Sequence, residues 1–197
     1  MQNKSTTITA IHQELTICKD QPENTIEFFG IRKNMTVMFF QNGKAKKFKE
    51  LPKQMFNLMA NAYQRDTGAK TYFATWHIPY IRQVELFTYF NYGSLDHRPD
   101  ILNGILQPCE NFRHSPDCPS QTFDSKKWTI NRTELTPRDI RIIDMIAKDY
   151  QDWQIANALG IAVSSYNAHK GKLFKKTKTQ SRVGLLMASI REKLISC

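Results

Sequence analysis

One stretch near the C-terminal end carries side chains whose types and spacing suit a polyanion. Ser164, Asn167, Ala168, Gly171, Lys172 and Lys175 recur three or four residues apart, so on a helix they share one face. Asn167 has the two-pronged amide that can pair with an adenine edge, whereas Lys172 and Lys175 are flexible point charges suited to phosphate oxygens. Lys170, Lys176, Lys178 and Arg182 crowd the same stretch, and no Asp or Glu occurs between Trp153 and Arg191. A basic helix is often only a solvated face, so charge alone does not decide. The helix signals that surround this one add the missing weight.

A second set of reactive residue types is Cys109, His114 and Cys118, with His97 upstream. Zinc takes four ligands and usually a close pair such as C-x2-4-C, but eight residues separate these two cysteines. The competing reading is a loop rich in proline (Pro108, Pro116, Pro119) whose thiols do no chemistry. No metal and no cofactor are expected. Neither a phosphate loop nor a nucleophile constellation nor a receiver-type acidic pocket is present, so an enzyme is not indicated.

The elements that must position the basic face can be read in order. Thr136 can cap a helix, Pro137 stands at its first position, and Asp139 is a first-turn acid. Ile140, Ile143, Ile146 and Ala147 follow at helical spacing until Asp149 and Tyr150. Asp152 offers a second cap, for a short helix that turns Ile155, Ala156 and Leu159 inward and closes on Gly160. Gly160-Ile161-Ala162 then leads into a third helix, roughly 163–176, with Val163, Tyr166, Leu173 and Thr177 on its apolar side. Ser181 can cap a fourth helix carrying Val183, Leu185, Leu186, Met187, Ile190 and Leu194. That is more apolar face than one small domain has to cover, which predicts pairing with a second copy. Two short helices and a turn ahead of a basic third helix fit a helix-turn-helix, whose second member enters the major groove.

Leu135-Thr136-Pro137-Arg138, Gln154-Ile155-Ala156, Leu159-Gly160-Ile161, His169, Lys176 and Ser181-Arg182 together resemble the LuxR-type helix-turn-helix domain. The resemblance covers about a quarter of the chain. It implies four helices, the third in the major groove and the fourth commonly pairing two copies, in a bacterial regulator of transcription. On that reading Ser164, Asn167, Ala168, His169, Gly171, Lys172, Lys175 and Lys176 face double-stranded DNA, with His169 near the backbone. Members of the family usually have Ser or Thr where this chain has Ala162, a small or aliphatic residue at Tyr166, and often a polar or basic side chain at Gly171.

Upstream, Ile8, Ile11 and Leu15 predict a short helix. From Thr25 the texture turns β-branched and aromatic up to Asn42-Gly43, a strong hairpin signal. Lys44, Lys46, Lys47 and Lys49 follow, read either as a nucleic-acid wing or, more simply, as an edge strand guarded by lysine. Pro52 opens a helix through Met55, Phe56, Leu58, Met59 and Tyr63 to Asp66-Thr67-Gly68; a short strand is predicted within 69–78; Pro79 opens another helix to Tyr92-Gly93. Ser120–Arg132 reads as a linker. The expected architecture is α+β: residues 1–130 as a mixed α/β domain with a hairpin, then 131–197 as an all-α four-helix domain.

Length and hydrophobic content (197 residues, 41%) allow two folded domains with real cores. The net charge of +10 is shared, +5 from Thr133 onward and +5 before it. Four dispersed cysteines do not make a disulfide framework, no run of 18 apolar residues exists, and residues 1–7 lack a signal-peptide core. A cytoplasmic homodimer with no membrane partner is expected. A sigma-factor-like promoter-reading subunit shares the same helix-turn-helix logic and would require RNA polymerase as a partner. A metal or thiol enzyme with a DNA-binding head rests on Cys109, His114 and Cys118 alone.

Overall fold

The computed structural model describes residues 25–195; the helix expected around Ile8–Leu15, together with Cys18 and Cys197, lies outside them. Two compact units form, one from residues 25–110 and 122–125, the other from 111–121 and 126–195. Neither is continuous in sequence. Among the described residues no helix is long and apolar enough to cross a membrane.

The first unit begins with strands β1 (Glu27–Ile31), β2 (Thr36–Gln41) and β3 (Lys44–Lys47), paired antiparallel in that order. Asn42 and Gly43 turn the second hairpin with φ of 52° and 69°, the paired positive values of a type I′ turn. β3 is the sheet's outer strand, so its lysines stand where an unpaired edge needs charge. Three helices follow, α1 (Lys53–Arg65), α2 (Thr67–Ala74) and α3 (Tyr80–Tyr92). Their core is aromatic, with Phe28, Phe39, Phe73, Phe87, Tyr89 and Phe90 almost completely sealed. Gly30 lets β1 approach α3: a Cβ there would lie 2.4 Å from the Tyr89 ring, and the Gly30 N–H donates to the Gly93 carbonyl at 3.0 Å.

Residues 67–74 are helical, where a short strand is expected within 69–78. The deciding residue is Asp66. Its buried carboxylate accepts from the Ala69 N–H at 2.8 Å and caps α2 as α1 ends, and it also takes the N–H groups of Asp124 and Ser125. Ala69 and Phe73, four apart, then share the buried side. A further hairpin, β4 (Ile101–Leu102) and β5 (Ile105–Leu106), turns on Asn103-Gly104, and Ile101 bridges to Ile26.

Beneath this hairpin two carboxylates are buried. Glu27 accepts from the N–H groups of Asp96 (3.0 Å) and His97 (2.6 Å), and Asp100 accepts from Phe28 N–H at 2.7 Å. Burial pushes both carboxyls above their usual range; at Asp100 the neighbouring Glu110 adds to it, against the Phe28 N–H.

The second unit starts from a two-residue-turn hairpin, β6 (Thr129–Ile130) and β7 (Thr133–Glu134), ahead of helices α4 (Pro137–Ala147), α5 (Asp152–Ala158), α6 (Val163–Thr177) and α7 (Arg182–Arg191). The stretch 126–132 is therefore not a linker: Trp128 and Ile130 are buried in one core with Leu135, Ile140, Ile143, Ile155, Tyr166, Leu173 and Leu185. Its polar composition hid two apolar residues at alternate positions. Arg113, 4% exposed, forks onto both oxygens of Asp144 at 2.8 Å and reaches the Leu194 carbonyl, which fastens residues 111–121 to the helices.

Because the folded-state carboxyl of Asp100 is raised, its ionisation opposes folding, and stability from this group falls as pH rises through the raised value. Asp100→Asn keeps an acceptor for Phe28 N–H without the charge. The variant's melting temperature should equal or exceed the wild type's at pH 8, by a margin that is smaller at pH 5 and closes only as pH falls into the ordinary carboxylate range. Differential scanning calorimetry at both pH values decides it, and a pH-independent difference would refute the assignment.

Candidate nucleic-acid interface

α4 begins as its sequence dictates. The Thr136 hydroxyl accepts from Asp139 N–H at 3.2 Å and the Asp139 carboxylate accepts from Thr136 N–H at 2.8 Å, a reciprocal capping box with Pro137 at the first position. Ile140, Ile142, Ile143 and Ile146 are buried. α5 departs from expectation at its start: the cap is Gln151, boxed with Gln154, rather than Asp152. Asp152 is instead turned to cations, Lys170 and, at 3.4 Å, Arg182. Gly160 closes α5 with φ 65°, the left-handed value glycine adopts freely.

On α6 the buried side is Tyr166, Leu173 and Thr177. Val163, expected with them, is 44% exposed because the covered side of this helix begins only at Tyr166. Tyr166 fills a fully enclosed site, where burial and the nearby Asp152 push its phenol up to about 12. The last turn is held by Asn131, whose side-chain amide donates to the Thr177 carbonyl at 2.7 Å from the β6–β7 turn.

The opposite side is the face read from the sequence. Ser164, Asn167, Ala168, Gly171, Lys172 and Lys175 are all exposed, and Ser165 joins them. None of the five polar side chains makes an intramolecular hydrogen bond or ion pair among the described residues. Ala162 offers no side-chain acceptor at the helix start, so the first-turn N–H groups keep their capacity to donate.

The cations around α6 divide into two sets. Lys176 lies 2.8 Å from Asp139, Lys170 pairs with Asp152 and sits over the Tyr166 ring, and His169 Nε2 lies 3.3 Å from the Arg138 guanidinium. Lys172, Lys175 and Lys178 have no carboxylate partner among the described residues. Burial works against ionisation of Asp139, but Lys176 and Thr136 outweigh it and hold the carboxyl below its usual range.

α7 is capped by Ser181, which accepts from Gly184 N–H at 3.0 Å. Leu185 and Ala188 face the core, while Val183, Met187 and Ile190 are 69%, 62% and 39% exposed. Cys109, His114 and Cys118 are not gathered: Cys109 donates to the Tyr92 hydroxyl at 3.5 Å, Cys118 shares a hydrogen with Ser120, and among the described residues no three His, Cys, Asp or Glu side chains cluster as metal ligands. Asn131 and Ser165 escaped the sequence reading, which used Arg138 only for the resemblance and not as a partner of His169. The two consecutive positive φ values at Asn131 and Arg132 mark a hairpin turn, but Arg132 stands where such a turn usually carries glycine.

Four helices in this order, with a capped first helix, a short second one and an exposed basic face on the third, decide the kinship. Residues 133–189 match the GerE model, bacterial regulatory proteins of the luxR family. The C-terminal part of the chain is a LuxR-type helix-turn-helix domain, and the match spans between a quarter and a third of the whole. No curated protein and no solved structure matches the chain. The domain absorbs its departures from the family pattern: Tyr166 is fully enclosed, and nothing lies within 4 Å of the Cβ that Gly171 lacks.

Asp139→Asn keeps an acceptor for Thr136 N–H but removes the charge that strengthens the capping box and holds Lys176, and should cost about 1 kcal/mol. Since the native carboxyl is held low, its contribution is present above the ordinary carboxylate range and is lost as pH falls through the lowered value. Urea titrations should therefore show the deficit at pH 7 and a smaller one at pH 3. Lys176→Gln, which leaves the cap intact, should cost less.

Proposed function

We propose that this protein regulates transcription by binding specific double-stranded DNA as a homodimer in the cytoplasm, through a unit made of residues 111–121 and 126–195. One observation carries the reading: the LuxR-type domain leaves one face of α6 exposed and polar, with no side-chain partner among the described residues, while Asp139 and Asp152 are taken by Lys176, Lys170 and Arg182. With that face in the major groove, Asn167 is the base reader, and Ser164 adds a short hydroxyl. Lys172, Lys175 and Lys178 take phosphates, and the uncapped N–H groups after Ala162 suit a phosphate oxygen. Lys176 and His169 belong to the support of the helix, through Asp139 and Arg138, rather than to direct readout.

The homodimer reading rests on α7. Val183, Met187 and Ile190 recur at helical spacing on one exposed side, and a second copy of the same helix would cover them by two-fold symmetry.

Genomic fragments selected by the purified full-length protein should be enriched in a two-fold symmetric site; recovery of random sequence only would sink the regulator reading. On that site Asn167→Ala should cost roughly 1–3 kcal/mol and relax discrimination at one base pair, leaving random DNA nearly unaffected. Lys172→Ala should weaken both duplexes alike and lower the log–log salt slope by about one unit. If Asn167→Ala lowers both affinities together, the face that reads bases lies elsewhere.

The dimer is tested separately. Met187→Glu should weaken self-association about tenfold or more, because it places charge in the middle of an apolar contact. Sedimentation of the full-length variant on its DNA site is the measurement. A wild type that binds one copy per site would end the dimer proposal.

A further inference from the structure

A cavity of about 500 Å³ opens in the first unit against all three strands and α3, within the roughly 300–1,000 Å³ typical of small-molecule sites. Ile31, Val37, Met38, Phe48 and Ile81 give it apolar walls. Val37 and Phe48 are buried and belong to its floor, whereas Ile31 and Ile81 are 41% and 50% exposed and belong to its mouth.

The polar groups of the lining differ in what they have left to give. Arg82 has its charge matched by Glu85 at 2.7 Å and donates to the carbonyls of Asn34 and Met35. Glu85, the lining's one carboxylate, spends its other oxygen on Val37 N–H at 3.0 Å. Lys47 and Lys49 are exposed and have neither a hydrogen bond nor an ion pair among the described residues. Protection of the edge strand does not call for both, since Lys44 and Lys46 already guard β3, and Lys49 lies beyond the strand. The site thus combines an apolar body with two uncommitted positive charges and no negative charge to spare.

We propose that this cavity binds a small organic anion with an apolar body, a carboxylate whose chain lies along the Ile31–Ile81 walls and whose head meets Lys47 and Lys49. A neutral molecule of equal shape would bury the same apolar area without the charge-assisted contacts, and a cation would meet repulsion from both lysines.

Octanoate, octanol and octylamine form a matched set of probes for the full-length protein by isothermal titration calorimetry. Octanoate should bind one site per chain, octanol about tenfold more weakly for want of two rim contacts, and octylamine without saturation. Lys47→Ala with Lys49→Ala should bring octanoate down to octanol's level. Ile81→Trp, a change at an exposed position that fills the mouth, should weaken both. Equal affinity for octanoate and octanol, unchanged octanoate binding in the double variant, saturable binding of octylamine, or no saturable heat at all would each overturn the proposal.

Discussion

Two carboxylates from neighbouring helices determine what α6 can offer to a partner. Asp139 on α4 takes Lys176, and Asp152 on α5 takes Lys170 and Arg182. Partly exposed pairs of this kind contribute only about 0–1 kcal/mol each, so they do little for the stability of the domain. Their effect is selective: they draw positive charge toward the body of the domain along one side of the helix and leave Lys172, Lys175 and Lys178 unopposed. Asp139 serves twice, since the oxygen that meets Lys176 also completes the capping box of α4. The register between α4 and α6 is thereby tied to the start of α4.

The first unit is organised on a different principle. Its aromatic core supplies the area that folding needs, and the polar groups inside it are placed where backbone would otherwise go unsatisfied. Asp66 ends one helix, starts the next and anchors residues 124 and 125. Glu27 does similar work for residues 96 and 97, and Asp100 for Phe28 in β1, at an energetic cost that shows in their raised carboxyls. An acidic group that serves as a backbone acceptor in a dry site is a structural device, and the same observation argues against giving these residues a chemical role.

The helical domain was legible because its local signals agree with its packing. Thr136-Pro137, Gly160 and Ser181 fix ends, and the spacing of Ile140, Ile143 and Ile146 fixes a face. Reading failed where tertiary partners decide. The 67–74 helix depends on a carboxylate that also binds residues 124 and 125, and the β6–β7 hairpin lacks glycine in its turn. Trp128 and Ile130 look isolated in a polar stretch until the helices cover them. On α6 the exposed face could be read from its period, but periodicity says nothing of which cations are already paired; Lys172 and Lys176 look alike in the sequence and differ only in having Asp139 within reach.

Gly171 has a consequence for how closely α6 can be approached. In mid-helix it sacrifices about 1 kcal/mol relative to Ala, and the space beside it is empty. With Ala168 one turn before it, it leaves the middle of the exposed face short of side-chain bulk, between the positions of Asn167 and Lys172 on the helix. A flat surface can therefore come nearly a side chain's thickness closer to the helix axis there than at either end. On the proposed reading, the short hydroxyl of Ser164 and amide of Asn167 need less reach there than at either end of the face, and a long side chain at Gly171 would take up that room.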